Sequence, residues 1–202
     1  MVNELLKIAK KPEGPLQILQ GDLELGLQLV AHTIHIYKQH YIRIPQGMVP
    51  MGELGYEKRL CNMALVSAAA SWDGFKGNIV REVRESDHSF SESKLRQRLE
   101  QISSYECIKE PLARRHCIVH NSARVDQEYK RDIPSSQLNI GDSLAISLEY
   151  LKEASVSFFK TAVDLVKVLV EEGLIPKEYQ KTIGEFQRDP SLGETTLFFK
   201  KQ

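Results

Sequence analysis

The stretch ELGYEKRLCNMALVSAAASWDGFKGNIVREVRE, residues 53–85, decides the fold. It contains no proline and keeps returning apolar side chains to one side of a helix. The apolar positions at this spacing are Leu54, Leu60, Ala64, Leu65, Ala68, Trp72, Phe75, Ile79 and Val83. Small residues at 67–71 let a neighbouring helix approach closely. The sequence therefore predicts one long central helix.

The chain before this helix divides into an arm, a helix and a loop. Prolines and a glycine interrupt residues 1–21, which we predict to form a loosely attached arm. Asp22 is a suitable N-cap for an apolar run that continues to about Tyr41. Residues 44–52 hold two prolines and two glycines beside apolar side chains, which predicts a loop packed against the body.

After the central helix, polar residues mark the ends of two further helices. The Ser-rich turn 86–91 precedes a helix that we predict to reach Ile102. Pro111 suits the first turn of the next helix, which we expect to end near Asn121. Residues 125–130 either extend that helix or form a short one of their own.

The last long helix is predicted to run from Leu144 to about Glu171. Asp142 is a suitable N-cap before it, and Gly173 is a suitable stop after it. Its candidate core positions are Leu144, Leu148, Leu151, Val156, Phe159, Val163, Val166 and Val170. The apolar patch at 195–199 is either a docked tail or a strand added to another chain.

These patterns predict an all-α protein. No alternating pattern of useful length predicts a strand, and the long helices fit an antiparallel bundle of four to five main helices. The length suits one ordinary domain. We therefore expect an N-terminal arm at residues 1–21, a helical bundle at 22–175 and a C-terminal extension at 176–202.

Composition narrows the class of protein. The 27 basic and 27 acidic residues balance, so any contact with nucleic acid is expected to be local or shared with a partner. No apolar run is long enough to span a bilayer and no secretory signal is evident, so we expect a cytoplasmic protein that does not insert into membranes.

No metal or cofactor is expected from the remaining residues. The three cysteines, Cys61, Cys107 and Cys117, are widely spaced, which predicts buried, reduced thiols rather than disulfides or a zinc site. His32 and His35 share a helix face without a nearby carboxylate or cysteine, so we interpret them as surface or packing residues. Trp72 and Phe75, one helical turn apart, are interpreted as core residues rather than a base-stacking platform.

One short stretch, residues 113–121, combines phosphate-binding and proton-transferring side chains. It contains Arg114, Arg115, His116, His120 and Asn121. Arginine suits phosphate, and histidine exchanges protons near neutral pH. His116 and His120 share a helix face, whereas Arg115 lies about 140° and roughly 7.5 Å from His120. The same pattern also fits arginines on a solvated face and histidines at the edge of a core.

This stretch resembles the motif of the HEPN superfamily, whose domains are α-helical bundles. In that family an arginine and a polar residue are followed by three residues and a histidine, often continued by Asn-x-Gly. Arg115, His116, His120 and Asn121 match this pattern, while Ala123 stands where glycine is often found. The resemblance covers roughly residues 54–171.

The resemblance implies a metal-independent endoribonuclease that dimerises with both motifs at the interface, in settings such as toxin–antitoxin pairs or phage defence. It implies catalytic roles for Arg115 and His120 and supporting or RNA-binding roles for Arg114, His116 and Asn121. The expected partners are RNA, a second copy of the chain and an antitoxin or sensor protein. The alternative is a catalytically silent helical module that binds a partner protein or a nucleotide.

Overall fold

The computed structural model of the chain describes residues 14–41 and 53–176. These residues form six α-helices and one turn of 3-10 helix, so the fold class is all-α, as predicted. The helices are α1 (Pro15–Tyr41), α2 (Glu53–Ser86), α3 (Glu92–Glu100), α4 (Glu106–His120), α5 (Gln127–Asp132) and α6 (Leu148–Glu171), with the 3-10 turn at Ser103–Tyr105. Within these residues the strand-like pairing is one antiparallel bridge between Arg124 and Ser143.

Helices α2 and α6 run in the same direction. Near the start of α2, Lys58 donates to the hydroxyl of Ser143, which precedes α6. At the other end, the hydroxyl of Ser86 donates to the carbonyl of Leu174, just after α6, at 2.9 Å. Both helices therefore begin at one end of the bundle and finish at the other.

Helix α4 runs antiparallel to α6. Ser104, just before α4, donates to Asp164 at 2.8 Å, whereas Arg114, further along α4, reaches the carbonyl of Ala145 at 3.2 Å. Helices α1 and α4 each pack against both α2 and α6 and barely touch each other. They therefore occupy opposite corners of a four-helix bundle, and the outer face of α1 points away from α4.

The main core confirms the apolar pattern of the central helix. Trp72 is fully buried, and its ring lies 5.4 Å from that of Phe75 and 5.9 Å from that of Phe158. Trp72 and Phe75 are core residues, as predicted. On α6, the predicted core position Val156 is wrong. Val156 is exposed, and Phe158, two residues later, is buried in the core instead.

A second, smaller cluster lies beside α4. Its buried members are Ala113, Cys117, Val125, Tyr129 and Leu144. These residues come from α4, from the short helix α5 and from the segments around them, so residues 127–132 form a separate helix rather than an extension of α4. The cluster holds the polar segment between α4 and α6 against the bundle. Because the cluster has few apolar residues, the segment itself stays at the surface.

Helix α1 begins earlier than predicted. It starts at Pro15, and Leu16 and Leu19 are buried in the main core. The predicted start after Asp22 is therefore wrong, because Asp22 lies exposed within the helix rather than at its N-cap. The boundary predicted between the arm and the bundle, at residue 21, falls inside α1. Proline is tolerated at a first helical position because no intrahelical bond is lost there, which explains how the chain enters the helix at Pro15.

Two other helix starts also differ from the prediction. Helix α4 begins at Glu106, which places Pro111 inside the helix rather than in its first turn. Helix α6 begins after Ser147, whose hydroxyl accepts a hydrogen bond from the amide of Tyr150 at 3.1 Å. Asp142 instead accepts from the amide of Asn139 at 2.7 Å and closes a turn, because its side chain has a local donor before any helix begins.

Two other predicted boundaries, the start of α3 and the end of α6, are confirmed, whereas α3 ends at Glu100 rather than at the predicted Ile102. Ser91 caps α3 by accepting from the amide of Lys94. Gly173 takes a φ of 72° after α6, and the amide of Leu174 donates to the carbonyl of Leu169 at 2.9 Å. This is a Schellman cap, in which only glycine adopts the left-handed conformation without cost.

The cysteines correspond only in part to the prediction. Cys61 and Cys117 are buried thiols, but Cys107 is exposed, because it lies on the outer side of α4. The predicted loop at 44–52 and the apolar patch at 195–199 lie outside the described residues. Among the described helices, none is both long enough and apolar enough to cross a membrane.

Candidate functional site

The candidate site lies where α4 ends, at the end of the bundle where α2 and α6 begin. The chain leaves α4 and is held there by pairing between residues 123–125 and 141–144. The amide of Leu144 donates to the carbonyl of Ala123 at 2.8 Å, and the amide of Val125 donates to the carbonyl of Asp142 at 2.9 Å. These bonds fix the C-terminal end of α4 relative to α6.

A tight turn ends α4 directly after His120. The amides of Asn121 and Ala123 both donate to the carbonyl of Cys117, at 2.9 and 3.0 Å, and the side-chain amide of Asn121 donates to the carbonyl of Arg124 at 2.9 Å. Ala123 has a φ of 59°, the left-handed region that favours glycine. The turn thus forms with alanine at the position where the HEPN pattern often has glycine, and Asn121 serves to close it.

Arg114 is engaged inside the protein. Its Nε donates to Glu110, its Nη1 donates to the carbonyl of Ala145, and its guanidinium lies 4.3 Å from the centre of the Tyr150 ring. The side chain is only 16% exposed. Burial opposes its charge, but the hydrogen bond and the charge of Glu110 outweigh it, so the pKa of Arg114 is raised.

Glu110 is the centre of this polar network. Its carboxylate accepts from Arg114, from the hydroxyl of Tyr129 at 2.9 Å and from the hydroxyl of Tyr150. Burial and then the charge of Glu110 raise the pKa of Tyr150, so both tyrosines stay protonated and act as donors. The network joins α4, α5 and α6. The i,i+4 spacing of Glu110 and Arg114 was visible in the sequence, whereas the two tyrosines were brought there by the fold.

Arg115 has a different environment from Arg114. It lies on the side of α4 that carries Ile108 and Ile118, which pack against the main core. Its Nε is buried, and within residues 14–41 and 53–176 it has no hydrogen-bond partner and no acidic residue forms an ion pair with the guanidinium. A buried donor without an acceptor costs about 1–3 kcal/mol, which reduces the cost of turning the Arg115 side chain outward to meet an anion.

The two histidines lie side by side at the surface. The ring centres of His116 and His120 are 4.7 Å apart with an angle of 45° between the ring planes. The Nε2 atom of His116 lies 3.2 Å from a carboxylate oxygen of Glu128, which comes from α5. Glu128 therefore orients His116, and His116 packs against the exposed ring of His120. The role of Glu128 was not predicted from the sequence, because no local spacing links it to His116.

An open groove of about 460 Å³ runs beside His116, between α3, α4 and α5. Its charged and aromatic lining residues are Arg96, Tyr105, Lys109, His116, Glu128, Arg131 and Asp132. Each arginine and lysine among them has a nearby carboxylate, as in the pair of Arg96 with Glu100 at 3.0 Å. Such exposed pairs are weak and can exchange partners.

The structure brings only some of the predicted site residues together. His116 and His120 are in contact, Asn121 closes the following turn, and Arg114 is held by Glu110. Arg115 and His120 lie on different sides of α4, as their spacing predicts. A single α4 helix therefore does not bring both side chains to the same phosphate. In the described part of the chain, no group of three His, Cys, Asp or Glu side chains is placed to hold a metal ion.

Comparisons with protein-family models, with curated proteins and with solved structures gave no match to this chain.

Proposed function

We propose that the protein is a metal-independent endoribonuclease of the HEPN type, with a HEPN-like helical bundle and with Arg115 and His120 as its catalytic residues. The observation that carries the proposal is the arrangement at the end of α4. There an exposed His120 lies 4.7 Å from His116, and Arg115 on the same helix has a buried donor without an acceptor. When the Arg115 side chain turns outward, a phosphate supplies the acceptor that the buried Nε lacks.

The reaction fits what these side chains do. His120 takes the proton from the ribose 2′-hydroxyl, whose oxygen attacks the neighbouring phosphorus while the bond to the 5′-oxygen breaks. A second imidazole returns a proton to that leaving oxygen. Arg115 stabilises the added negative charge on the phosphoryl oxygens as the pentacoordinate state forms. The products are a 2′,3′-cyclic phosphate and a 5′-hydroxyl.

A second copy of the chain completes the site in this proposal. One α4 does not bring Arg115 and His120 together, but two α4 helices related by a two-fold axis bring two of each around one phosphate. Val119, which lies between these residues on the helix, is 48% exposed and offers an apolar contact for the second copy. The second His120 then supplies the proton for the leaving oxygen.

The supporting residues divide by their contacts. His116 positions His120 through ring packing and is itself held by Glu128. Asn121 closes the turn after the catalytic histidine. Arg114 is occupied by Glu110 and Tyr150, so we assign it a structural role in preference to phosphate contact.

The alternative, a silent binding module, would be favoured by acidic side chains covering the surface beside His120. Glu110 is turned into the network with Arg114, and Glu106 pairs with Lys109 near the opposite end of α4. Neither of these two carboxylates covers His120, which favours the nuclease, and the acid that does lie beside the histidine pair, Glu128, contacts His116 at 3.2 Å. A toxin–antitoxin or defence setting would add an antitoxin or sensor protein that covers this surface.

The test is to incubate the purified protein with structured RNA in the presence of a chelator. We expect cleavage by the wild type and by His88→Ala, a control that removes an exposed imidazole elsewhere, and loss of cleavage with His120→Ala and Arg115→Ala. The matching DNA should survive. Loss of activity with the chelator, or full activity of His120→Ala, would contradict the proposal, and RNA binding without cleavage would favour the silent module.

A further inference from the structure

The outer face of α1 carries a straight line of exposed apolar side chains. Ile18, Leu25, Leu29 and Ile36 are 40%, 66%, 64% and 41% exposed. Their spacings of seven, four and seven residues place all four within about 20° of one line along the helix, over roughly 27 Å. The inner face of the same helix is already occupied, because its leucines are buried against α2 and α6.

Two polar residues complete this line as a heptad pattern. Asp22 and His32, both exposed, stand at the remaining positions of the alternating three- and four-residue spacing. The six positions Ile18, Asp22, Leu25, Leu29, His32 and Ile36 are spaced like the inward-facing positions of a two-stranded coiled coil. We call them the α1 seam. Buried polar positions in such seams set the register and the direction of the helices.

The α1 seam is symmetric about the level of Leu27. Ile18 and Ile36 stand nine residues before and after that level, Asp22 and His32 five residues, and Leu25 and Leu29 two residues. In an antiparallel pair of α1 helices with a two-fold axis at this level, Ile18 therefore meets Ile36 of the other copy and Leu25 meets Leu29. Asp22 meets His32, an acidic residue facing a basic one.

We propose that the α1 seam binds a second copy of this chain, forming an antiparallel, two-fold symmetric helix pair. A second copy explains the one feature that an unrelated partner would not require, namely that each seam residue matches its mirror position in chemistry. A two-fold interface has to be self-complementary in this way. In a parallel pair, by contrast, Asp22 would face Asp22 and His32 would face His32.

The positions beside the seam do not oppose this pairing. Gly21, Gly26, Gln28 and Thr33 flank it and carry no charge, and the exposed His35 is level with Leu19 of the other copy, so no like-charge pair arises when the helices meet. The two glycines also leave space there, since a Cβ at either position would meet nothing within 4 Å. Close approach of the two helices is therefore sterically permitted.

This interface is independent of the proposed catalytic one. Helices α1 and α4 occupy opposite corners of the bundle, so a contact through the α1 seam leaves His120 and Val119 accessible. One helix pair of this length falls below the roughly 1,200–2,000 Å² of a standard interface. We therefore expect an equilibrium that depends on concentration, with a dissociation constant on the order of micromolar.

Cysteine cross-linking tests both the contact and its direction. Ile18→Cys and Ile36→Cys are made separately in the full chain, each with Cys107→Ser to remove the exposed native thiol. When the two proteins are mixed at about 100 µM and oxidised, far above the expected dissociation constant, we expect a disulfide-linked pair. Each protein oxidised alone should stay unlinked, because two-fold antiparallel pairing keeps identical positions apart.

Three results would overturn the proposal. The first is self-linking of Ile18→Cys, which would indicate a parallel pair. The second is the absence of a link in the mixture. The third is linking that persists undiminished in proteins that also carry Leu25→Lys and Leu29→Lys. If no link forms, the partner of the α1 seam is instead the C-terminal segment of the same chain or an unrelated protein.

A charge exchange tests the polar pair separately. Asp22→Lys should lower cross-linking in the mixture at least threefold, because lysine would face His32 of the other copy. Adding His32→Glu to the same chain should restore it, because the pair is then reversed in sign. Unchanged cross-linking with Asp22→Lys, or no recovery in the double variant, would contradict the proposed register.

Discussion

Replacing Glu110 by alanine should destabilise the fold far more than its exposure suggests. The carboxylate accepts hydrogen bonds from Arg114, Tyr129 and Tyr150, and its side chain is 27% exposed. Removing it leaves the Arg114 guanidinium, which is 16% exposed, without its acidic partner. Breaking a buried ion pair in this way costs about 3–5 kcal/mol, which we reduce to roughly 3 kcal/mol for partial exposure.

The same helix supplies a matched control. Glu106 forms a pair with Lys109 three residues later, but its side chain is 68% exposed. Glu106→Ala should therefore change the free energy of unfolding by less than about 0.5 kcal/mol. For a chain of this length, Glu110→Ala should lower the melting temperature by about 6–12 °C and the control by at most about 2 °C.

Unfolding in guanidinium chloride, followed by circular dichroism, measures both variants. We expect a lower midpoint for Glu110→Ala with an unchanged slope, because the variant loses stability without changing the surface exposed on unfolding. Glu110→Gln should lie between the wild type and Glu110→Ala, since it keeps an acceptor and loses the charge. If Glu110→Ala and Glu106→Ala unfold within 1 kcal/mol of each other, by the same extrapolation, the network does not hold α4, α5 and α6 together.

Three further outcomes follow from the structure. Ser122→Gly should raise the free energy of unfolding by about 0.5 kcal/mol in the same assay, because Ser122 is exposed and holds a φ of 51°; a loss of stability would show that this turn is unstrained. At pH 8, Cys107 should be alkylated rapidly while Cys61 is protected, since burial raises the pKa of Cys61 to about 11 and keeps it a protonated thiol; equal rates would contradict the burial. Glu128→Ala should lower RNA cleavage by up to about tenfold by releasing His116, and unchanged cleavage would remove Glu128 from the site.

Local patterns in the sequence predicted the helices but not all of their ends. The apolar spacing around Trp72 and the stop at Gly173 are local properties, and both were confirmed. The predicted start of α1 was wrong because Asp22 has the chemistry of an N-cap. Burial of Leu16 and Leu19 in the core instead stabilises helix on both sides of Asp22. Tertiary packing overrides local preference where the two conflict.

The candidate site shows the same division. The sequence placed His116 and His120 on one face, and their rings are in contact. The motif assigned different roles to Arg115 and Arg114, but it did not predict their different environments. Those depend on Glu110 and Tyr150 reaching Arg114, and on no described acid reaching Arg115. Glu128 was missed for the same reason, since the fold alone brings α5 to α4.

The central claim is best tested by the ends of the RNA fragments that form in the presence of a chelator. We predict that the wild-type protein leaves 2′,3′-cyclic phosphate and 5′-hydroxyl ends, and that 2′-O-methylation at a cleaved position blocks the cut. His120→Ala should leave the RNA intact under the same conditions. Cleavage of 2′-O-methylated RNA, fragments with 5′-phosphate ends, or an intact substrate with the wild-type protein would contradict the mechanism assigned to Arg115 and His120.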